Sequence, residues 1–414
     1  MKSTGAGIGI VISVAFLITG NLIGAGILAL PVNTGLSGFV PSMIGLLVMC
    51  GMMFFSAVVL AREATETRAA TFNYPSLYHR YLGGAGKWIA VLANLLILYG
   101  LLTAYLTGGT TVIVQLFGIP AGPGVWAVTL GLFVAMTGVT VMGEALIRKC
   151  NAVLMILMWG SFAIIVFMAF QHMEVKRLAF TDWVFLPATF PVIITAFHFH
   201  NIIPSVCGSL EWRWPRIMGA MVIGMISGLV MNAVWILVGV GALPLKGAIS
   251  LGAAYDAGVP ATVPLAEILH SSFFTSAALT FALLAIVTSY VANGIGLLGF
   301  IQDMTENFLK IKSRMLILAL TFLPPLVIAF GFPHIFLNAM NLVGGIGIVI
   351  LFGVLPSLIA AKKASSRNAR LWAWLMMLVF GLFLLLEIGQ ESGLTKIGPG
   401  KEYWPDEHWD YPQN

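Results

Sequence analysis

Gly20-Asn21-Leu22-Ile23-Gly24-Ala25-Gly26 sits in the middle of an apolar run covering residues 7 to 30. The run is long enough to cross a bilayer as a helix, yet three glycines and an asparagine within seven residues are poor helix formers. The helix is therefore expected to break at mid-span. Broken backbone at membrane depth leaves N–H and C=O groups unpaired, which is tolerated only where they line a cavity or bind something. An ion or a zwitterion is the natural occupant.

Working outward, further apolar runs fall near 38 to 61, 88 to 117, 124 to 146, 151 to 172, 184 to 208, 216 to 243, 273 to 301, 315 to 332, 335 to 360 and 371 to 390. Each exceeds the roughly 17 residues that span the hydrocarbon core, so the chain reads as an all-α integral membrane protein of about eleven transmembrane helices. Composition agrees. Of 414 residues, 59% are hydrophobic and 9% charged, against about 25% charged in soluble domains. The 45 glycines suit helices that approach closely in lipid. The first run is too long for a signal peptide and lacks a small-residue cleavage site, so it is kept as helix 1.

Lysine and arginine set the expected orientation. With the N-terminus cytoplasmic, 16 of the 21 fall inside, and an odd helix count places the C-terminus outside. The net charge of +5 is then a matter of topology. Basic residues spread over several loops do not call for a nucleic-acid partner. Cys50, Cys150 and Cys207 have no CxxC spacing and no His/Cys cluster beside them, so neither a disulfide framework nor a metal site is expected.

A second irregular stretch lies in helix 6, Phe190-Pro191-Val192-Ile193-Ile194-Thr195-Ala196-Phe197-His198-Phe199-His200-Asn201-Ile202-Ile203-Pro204-Ser205. Two histidines and an asparagine lie at mid-span, and Pro204 cannot donate to the preceding turn, so a break is expected near 198 to 204. The two breaks are five helices apart. Unwound segments at matching places in two five-helix halves point to an inverted-repeat transporter with a midplane site, half-helix N-termini facing a carboxylate and freed carbonyls facing a cation.

The stretch Gly24-Ala25-Gly26-Ile27-Leu28-Ala29-Leu30-Pro31, the helix 6 block and Thr321-Phe322-Leu323-Pro324-Pro325 in helix 9 resemble the bacterial aromatic amino acid permeases, the tyrosine and tryptophan proton symporters. The resemblance implies the five-plus-five inverted repeat of the amino acid/polyamine/organocation superfamily, the leucine-transporter fold, with helix 11 added. It also implies import of an aromatic amino acid across the bacterial inner membrane, with a proton as coupling ion. One transporter domain is expected over 1–390, with repeats at about 7–172 and 184–360, helix 11 at 371–390 and an extracytoplasmic tail over 391–414. The tail's Tyr403, Trp404, Trp409 and Tyr411 are expected at the membrane interface.

The candidate substrate-binding residues are Asn21, Ile23, Gly24, Ala25 and Gly26 of helix 1, with Phe197, His198, Phe199, His200 and Asn201 of helix 6. The glycines could instead be helix-packing contacts, and either histidine could be structural. For the coupling ion the candidates are His198 and His200 for a proton. For sodium they are the helix 8 hydroxyls Thr288 and Ser289 with the carbonyls of Gly20 and Ile23, a pattern that resembles sodium-coupled members of the fold. Ser and Thr also commonly satisfy themselves on their own helix. No phosphate-binding loop, nucleophile elbow or HExxH motif is present, so no cofactor, no catalysis and no obligate protein partner are expected. Arg62, Glu63, Glu66 and Arg68 read as a solvated loop. Two alternatives are a serine/threonine-type substrate, from Pro31-Val32-Asn33-Thr34-Gly35, and a sodium-coupled carrier.

Overall fold

The computed structural model describes residues 3–68, 73–142, 144–306, 310 and 312–404, apart from the side chains of 3–7, 25, 144–152 and 403. Every regular element among them is helical. The first span is the pair α1 (Ser3–Leu22) and α2 (Ala25–Gly35); α3 (Phe39–Thr67), α4 (Tyr74–Leu116), α5 (Pro123–Met142) and α6 (Glu144–Phe170) follow. The sixth span is again a pair, α7 (Leu186–Ala196) and α8 (Ile203–Ser209), followed by α9 (Trp214–Ala242). Two short helices, α10 (Leu251–Ala257) and α11 (Thr262–Leu269), precede α12 (Ser272–Met304) and α13 (Arg314–Gly331). The tenth span joins α14 (Phe336–Leu342), a π-wound stretch Val343–Val354 and α15 (Leu355–Lys363), and α16 (Arg367–Glu391) is the last. Ten helices of the described residues are long and apolar enough to cross a membrane, or eleven with the bent α1/α2 pair counted as one.

Glycine sets how closely the first span packs. A Cβ at Gly224 or Gly228 of α9 would stand 2.7 Å from Ile18 or 2.5 Å from Leu22, and one at Gly239 would stand 2.4 Å from Pro31. Bare backbone on α9 is what lets α1 and α2 lie against it, the small-xxx-small contact usual in membranes. α2 ends up buried on every side from Gly26 to Leu36. α5 and α16 instead present Trp126, Leu130, Trp372 and Leu382 outward, as lipid-facing helices do.

Four features differ from the reading of the sequence. The third span starts at Tyr74, not 88, because a short helix capped by the Asn73 side chain runs into it through Gly83 at φ 68°. That helix is amphipathic and too short to register as an apolar run. α10 and α11 occupy what reads as loop. The tenth span is wound as a π-helix over twelve residues, a rare geometry concentrated at functional places. Glu63 is buried at 2% exposure and is not part of a solvated loop. Its carboxylate accepts from Lys363 Nζ (2.7 Å) and the Tyr81 hydroxyl (2.7 Å), partners that offset the cost of removing a charge from water.

Candidate substrate site at two helix breaks

α1 stops at Leu22 and α2 starts at Ala25, with the two axes bent by 55°. Ile23 still donates its N–H to Thr19 O (3.1 Å), while Gly24 is extended (φ −107°, ψ −155°) and no side chain caps α2. The first N–H groups of α2 thus point from a helix N-terminus without a side-chain acceptor, the geometry that receives an anion. The side chain of Ala25 lies outside the described residues.

The neighbours of the glycines explain why no side chain fits. A Cβ on Gly24 would lie 2.9 Å from Ser289 Oγ and 3.7 Å from the Tyr105 hydroxyl. On Gly26 it would lie 3.0 Å from both N and Cα of Ala196, the last residue of α7. Gly24 therefore faces hydroxyls, and Gly26 brings the two broken spans into backbone contact. A Cβ on Gly20 would meet Met155 Cε at 2.7 Å.

The second break runs from Phe197, the C-cap of α7, through His198 and Phe199 to a 3₁₀ turn at His200–Ile202, with Pro204 in the first turn of α8. Phe197, Phe199 and His200 are fully buried and His198 nearly so. The imidazoles stack at 6.0 Å and 3°, each about 5 Å from the ring of Phe352 in the π-helix. His200 Nε2 lies 3.2 Å from Met53 O, and the Tyr74 hydroxyl donates to the His200 carbonyl. His198 Nε2 and His200 Nδ1 have no hydrogen-bond partner among the described residues. The histidines thus lie between the second break and the second, third and tenth spans.

Asn201 connects to other spans, and a line of hydrogen bonds follows it. Asn21 Nδ2 donates to Asn201 Oδ1 (3.1 Å), Asn201 Nδ2 to Asn293 Oδ1 (3.3 Å), and Asn293 Nδ2 to the Tyr105 hydroxyl (3.3 Å) and Ser289 O (2.9 Å). The line links α1, the second break, α12 and α4, and returns to Gly24 through Tyr105 and Ser289. Thr288 takes no part: its hydroxyl donates to Leu284 O of its own helix (2.7 Å). Of the residues singled out from sequence, Asn21, Gly24, Asn201 and Ser289 come together here. Tyr105 and Asn293 were missed. A phenol in the middle of an apolar helix needs a partner, and that was the available signal for Tyr105.

Cutting the line at its centre should cost binding. Asn293→Ala leaves Asn201, Tyr105 and the Ser289 carbonyl each short of a partner, and an unsatisfied buried polar group costs about 1–3 kcal/mol. Substrate affinity, measured by scintillation proximity on purified protein, should fall about tenfold or more. An unchanged affinity would mean that the line does not hold the site.

Among the described residues no three His, Cys, Asp or Glu side chains are grouped to hold a metal ion. Solved structures similar to this chain include a manganese transporter of Eremococcus coleocola (TM-score 0.63, 13% identity, covering 92% of this chain and 87% of that one). Another is MhsT in complex with L-phenylalanine (TM-score 0.62, 16% identity, 91% and 97%). These likenesses show the leucine-transporter fold. Among sequence relatives, the tyrosine-specific transport system 1 of Haemophilus influenzae is 29% identical over 338 residues, covering 79% of this chain and 82% of that protein. The tryptophan-specific transport protein of the same organism is 26% identical over 372 residues (86% and 87%). The low affinity tryptophan permease of Escherichia coli K12 is 23% identical over 392 residues (89% and 93%). The family model for the tryptophan/tyrosine permeases matches residues 9–389, essentially the whole membrane-embedded chain. This chain, with its two broken spans, belongs to the tryptophan/tyrosine permease family.

Proposed function

We propose that the protein is a secondary active transporter that imports tryptophan or tyrosine with a proton across the bacterial inner membrane. In this reading the N-terminus is cytoplasmic and the C-terminus outside, and residues 7–172 and 184–360 are the two inverted halves. The observation that carries the reading is the meeting of the two breaks at Gly24, Gly26 and the line from Asn21 to Asn293. The substrate carboxylate sits on the uncapped N-terminus of α2, at Gly24, Ala25 and Gly26, and the ammonium faces the carbonyls where α1 and α7 end. His198 and His200, buried at the second break with free ring nitrogens, carry the proton.

A sodium-coupled reading draws on Ser289, which stands beside Gly24. It is the weaker one, because the resemblance to the tyrosine and tryptophan proton symporters favours a proton; Thr288 donates its hydroxyl proton to Leu284 O and keeps its oxygen lone pairs for a cation. The substrate class is tested by competing unlabelled amino acids against labelled tryptophan and tyrosine in reconstituted vesicles. Aromatic competitors should displace the label, and displacement by serine or threonine alone would overturn the assignment.

The aromatic wall gives a further expectation. Phe197 and Phe199 provide wide, flat contact area in the break, and a buried Phe→Ala change costs about 3–5 kcal/mol. Trimming the ring that faces the substrate should lower uptake of tryptophan more than that of a small amino acid. Parallel losses for both substrates in both Phe197→Ala and Phe199→Ala would remove these residues from the pocket.

A further inference from the structure

The segment after α16 does not trail away. Its chain reverses at Gly393 (φ 74°), Thr395 N–H donates to Gly389 O (3.0 Å), and the segment then crosses to α10. Lys401 Nζ donates to both carboxylate oxygens of Asp256 at 3.0 and 2.7 Å. The indole of Trp404, 6% exposed, lies over Gly252, where a Cβ would stand 2.6 Å from the ring. Gly252 is thus the slot for the tryptophan, and any larger residue there would lift it. Trp404, expected at the membrane interface, is buried against protein; Trp409, Tyr411 and the Tyr403 side chain lie outside the described residues.

α10 is in turn placed over the far ends of both broken spans. Leu251 packs on Gly35 at the end of α2, and the Tyr255 ring meets Phe185, at the start of α7, edge-on at 5.9 Å. Ala261 N–H, just after α10, donates to Leu28 O (3.1 Å). Asp182 ties the same corner together. Its N–H donates to Ser37 O (2.7 Å), its Oδ1 accepts from Val184 and Phe185 (3.0 Å each), and its Oδ2 accepts from Gly400 N–H of the tail (3.1 Å).

We propose that residues 395–404 form a latch that, when docked, holds α10 across the ends of α2 and α7 and keeps that mouth of the carrier closed, and when released lets α10 lift. The inference rests on the transporter reading proposed above. The latch is held by few contacts: one exposed ion pair, weak and screened by salt, one backbone hydrogen bond from Gly400 to Asp182, and one indole buried on Gly252. In a hinged carrier, small attachments of this kind bias populations without locking them. Lys401 and Trp404 act through α10 and are positioning residues.

The test reads the mouth directly. In a variant with Cys50, Cys150 and Cys207 replaced by serine, Val32→Cys places a thiol on the α2 face that carries Leu28 and Gly35, at a position buried here. Its rate of labelling by a membrane-impermeant maleimide, added to either side of sealed vesicles, follows the fraction of open molecules. Lys401→Asp and Trp404→Ala should each raise labelling from the α10 side by about tenfold. The charge exchange Lys401→Asp with Asp256→Lys should return it to the parent rate. Should Trp404→Ala fail to accumulate, the charge pair and its exchange carry the test, because loss of stability alone would not be repaired by swapping signs. Parent-like labelling in the single variants, or an exchange that fails to restore it, would overturn the latch. Labelling that follows the latch in vesicles with no amino acid uptake would support it and overturn the carrier reading instead.

Discussion

A Gly26→Val protein is expected to reach the membrane and to bind no measurable substrate. The Cβ alone would stand 3.0 Å from the N and Cα atoms of Ala196, and backbone at the end of α7 has no rotamer by which to retreat. Overpacking of this kind costs about 1–3 kcal/mol when the surroundings can shift, a loss of about ten- to a hundredfold. Here it also separates the two breaks at which the substrate is proposed to bind. Gly24→Ala provides the contrast. Its Cβ meets the Ser289 hydroxyl oxygen at 2.9 Å but the Ser289 Cβ only at 3.7 Å, so adding Ser289→Ala should relieve the crowding and recover much of the affinity. Binding of labelled tryptophan to detergent-purified protein checks both, with surface expression measured alongside. Normal affinity in Gly26→Val would remove the helix 1 break from the site. No recovery in the Gly24→Ala/Ser289→Ala pair would mean that the Ser289 hydroxyl itself contributes to binding.

The second large effect is expected at the histidines. A proton-driven carrier needs a group that changes protonation as the site alternates, and histidine is the side chain suited to that near neutral pH. His198 and His200 lie in the second break with one ring nitrogen each left without a partner. Their stacked rings bridge that break to the π-helix through Phe352, so a change of charge there is felt by two spans at once. In sodium-free vesicles with an acidic exterior, His198→Gln or His200→Gln should reduce accumulation to simple equilibration while leaving substrate exchange between the two sides. Thr288→Ala should accumulate as the parent does, because the proton route passes through the histidines and needs no cation at the Thr288 hydroxyl. Concentrative uptake that requires sodium and survives both histidine changes would refute the proton route.

Both breaks were legible because their causes are local. Glycine, asparagine and proline disfavour helix wherever they stand, and Gly20–Gly26 and Phe197–Pro204 carry them at membrane depth. What surrounds the breaks was less legible. Gly26 reads as room for a ligand, with helix packing as the alternative, and only the position of Ala196 shows that it abuts backbone. Tyr105 and Asn293 lie in runs whose apolar neighbours hide them, and their role depends on which helices meet. The π-wound stretch Val343–Val354 packs against α7 and α16 more closely than its apolar sequence announces. A Cβ on Gly344 would stand 1.9 Å from Pro191 O, and one on Gly345 2.5 Å from Glu387 Cγ. Glu63 and Trp404 carry the same lesson: residues that look exposed by type are buried because Lys363 and Gly252, far away in sequence, provide the partner or the slot.

Concentrative, proton-driven import of an aromatic amino acid is read out as flux into vesicles. Purified protein in sodium-free liposomes, given labelled tryptophan and an exterior more acidic than the lumen, should accumulate the label above its outside concentration. A protonophore should collapse that accumulation, and excess unlabelled tyrosine or tryptophan should prevent it. Uptake that never exceeds equilibration under the pH gradient, or that appears only when sodium is added, would overturn proton coupling.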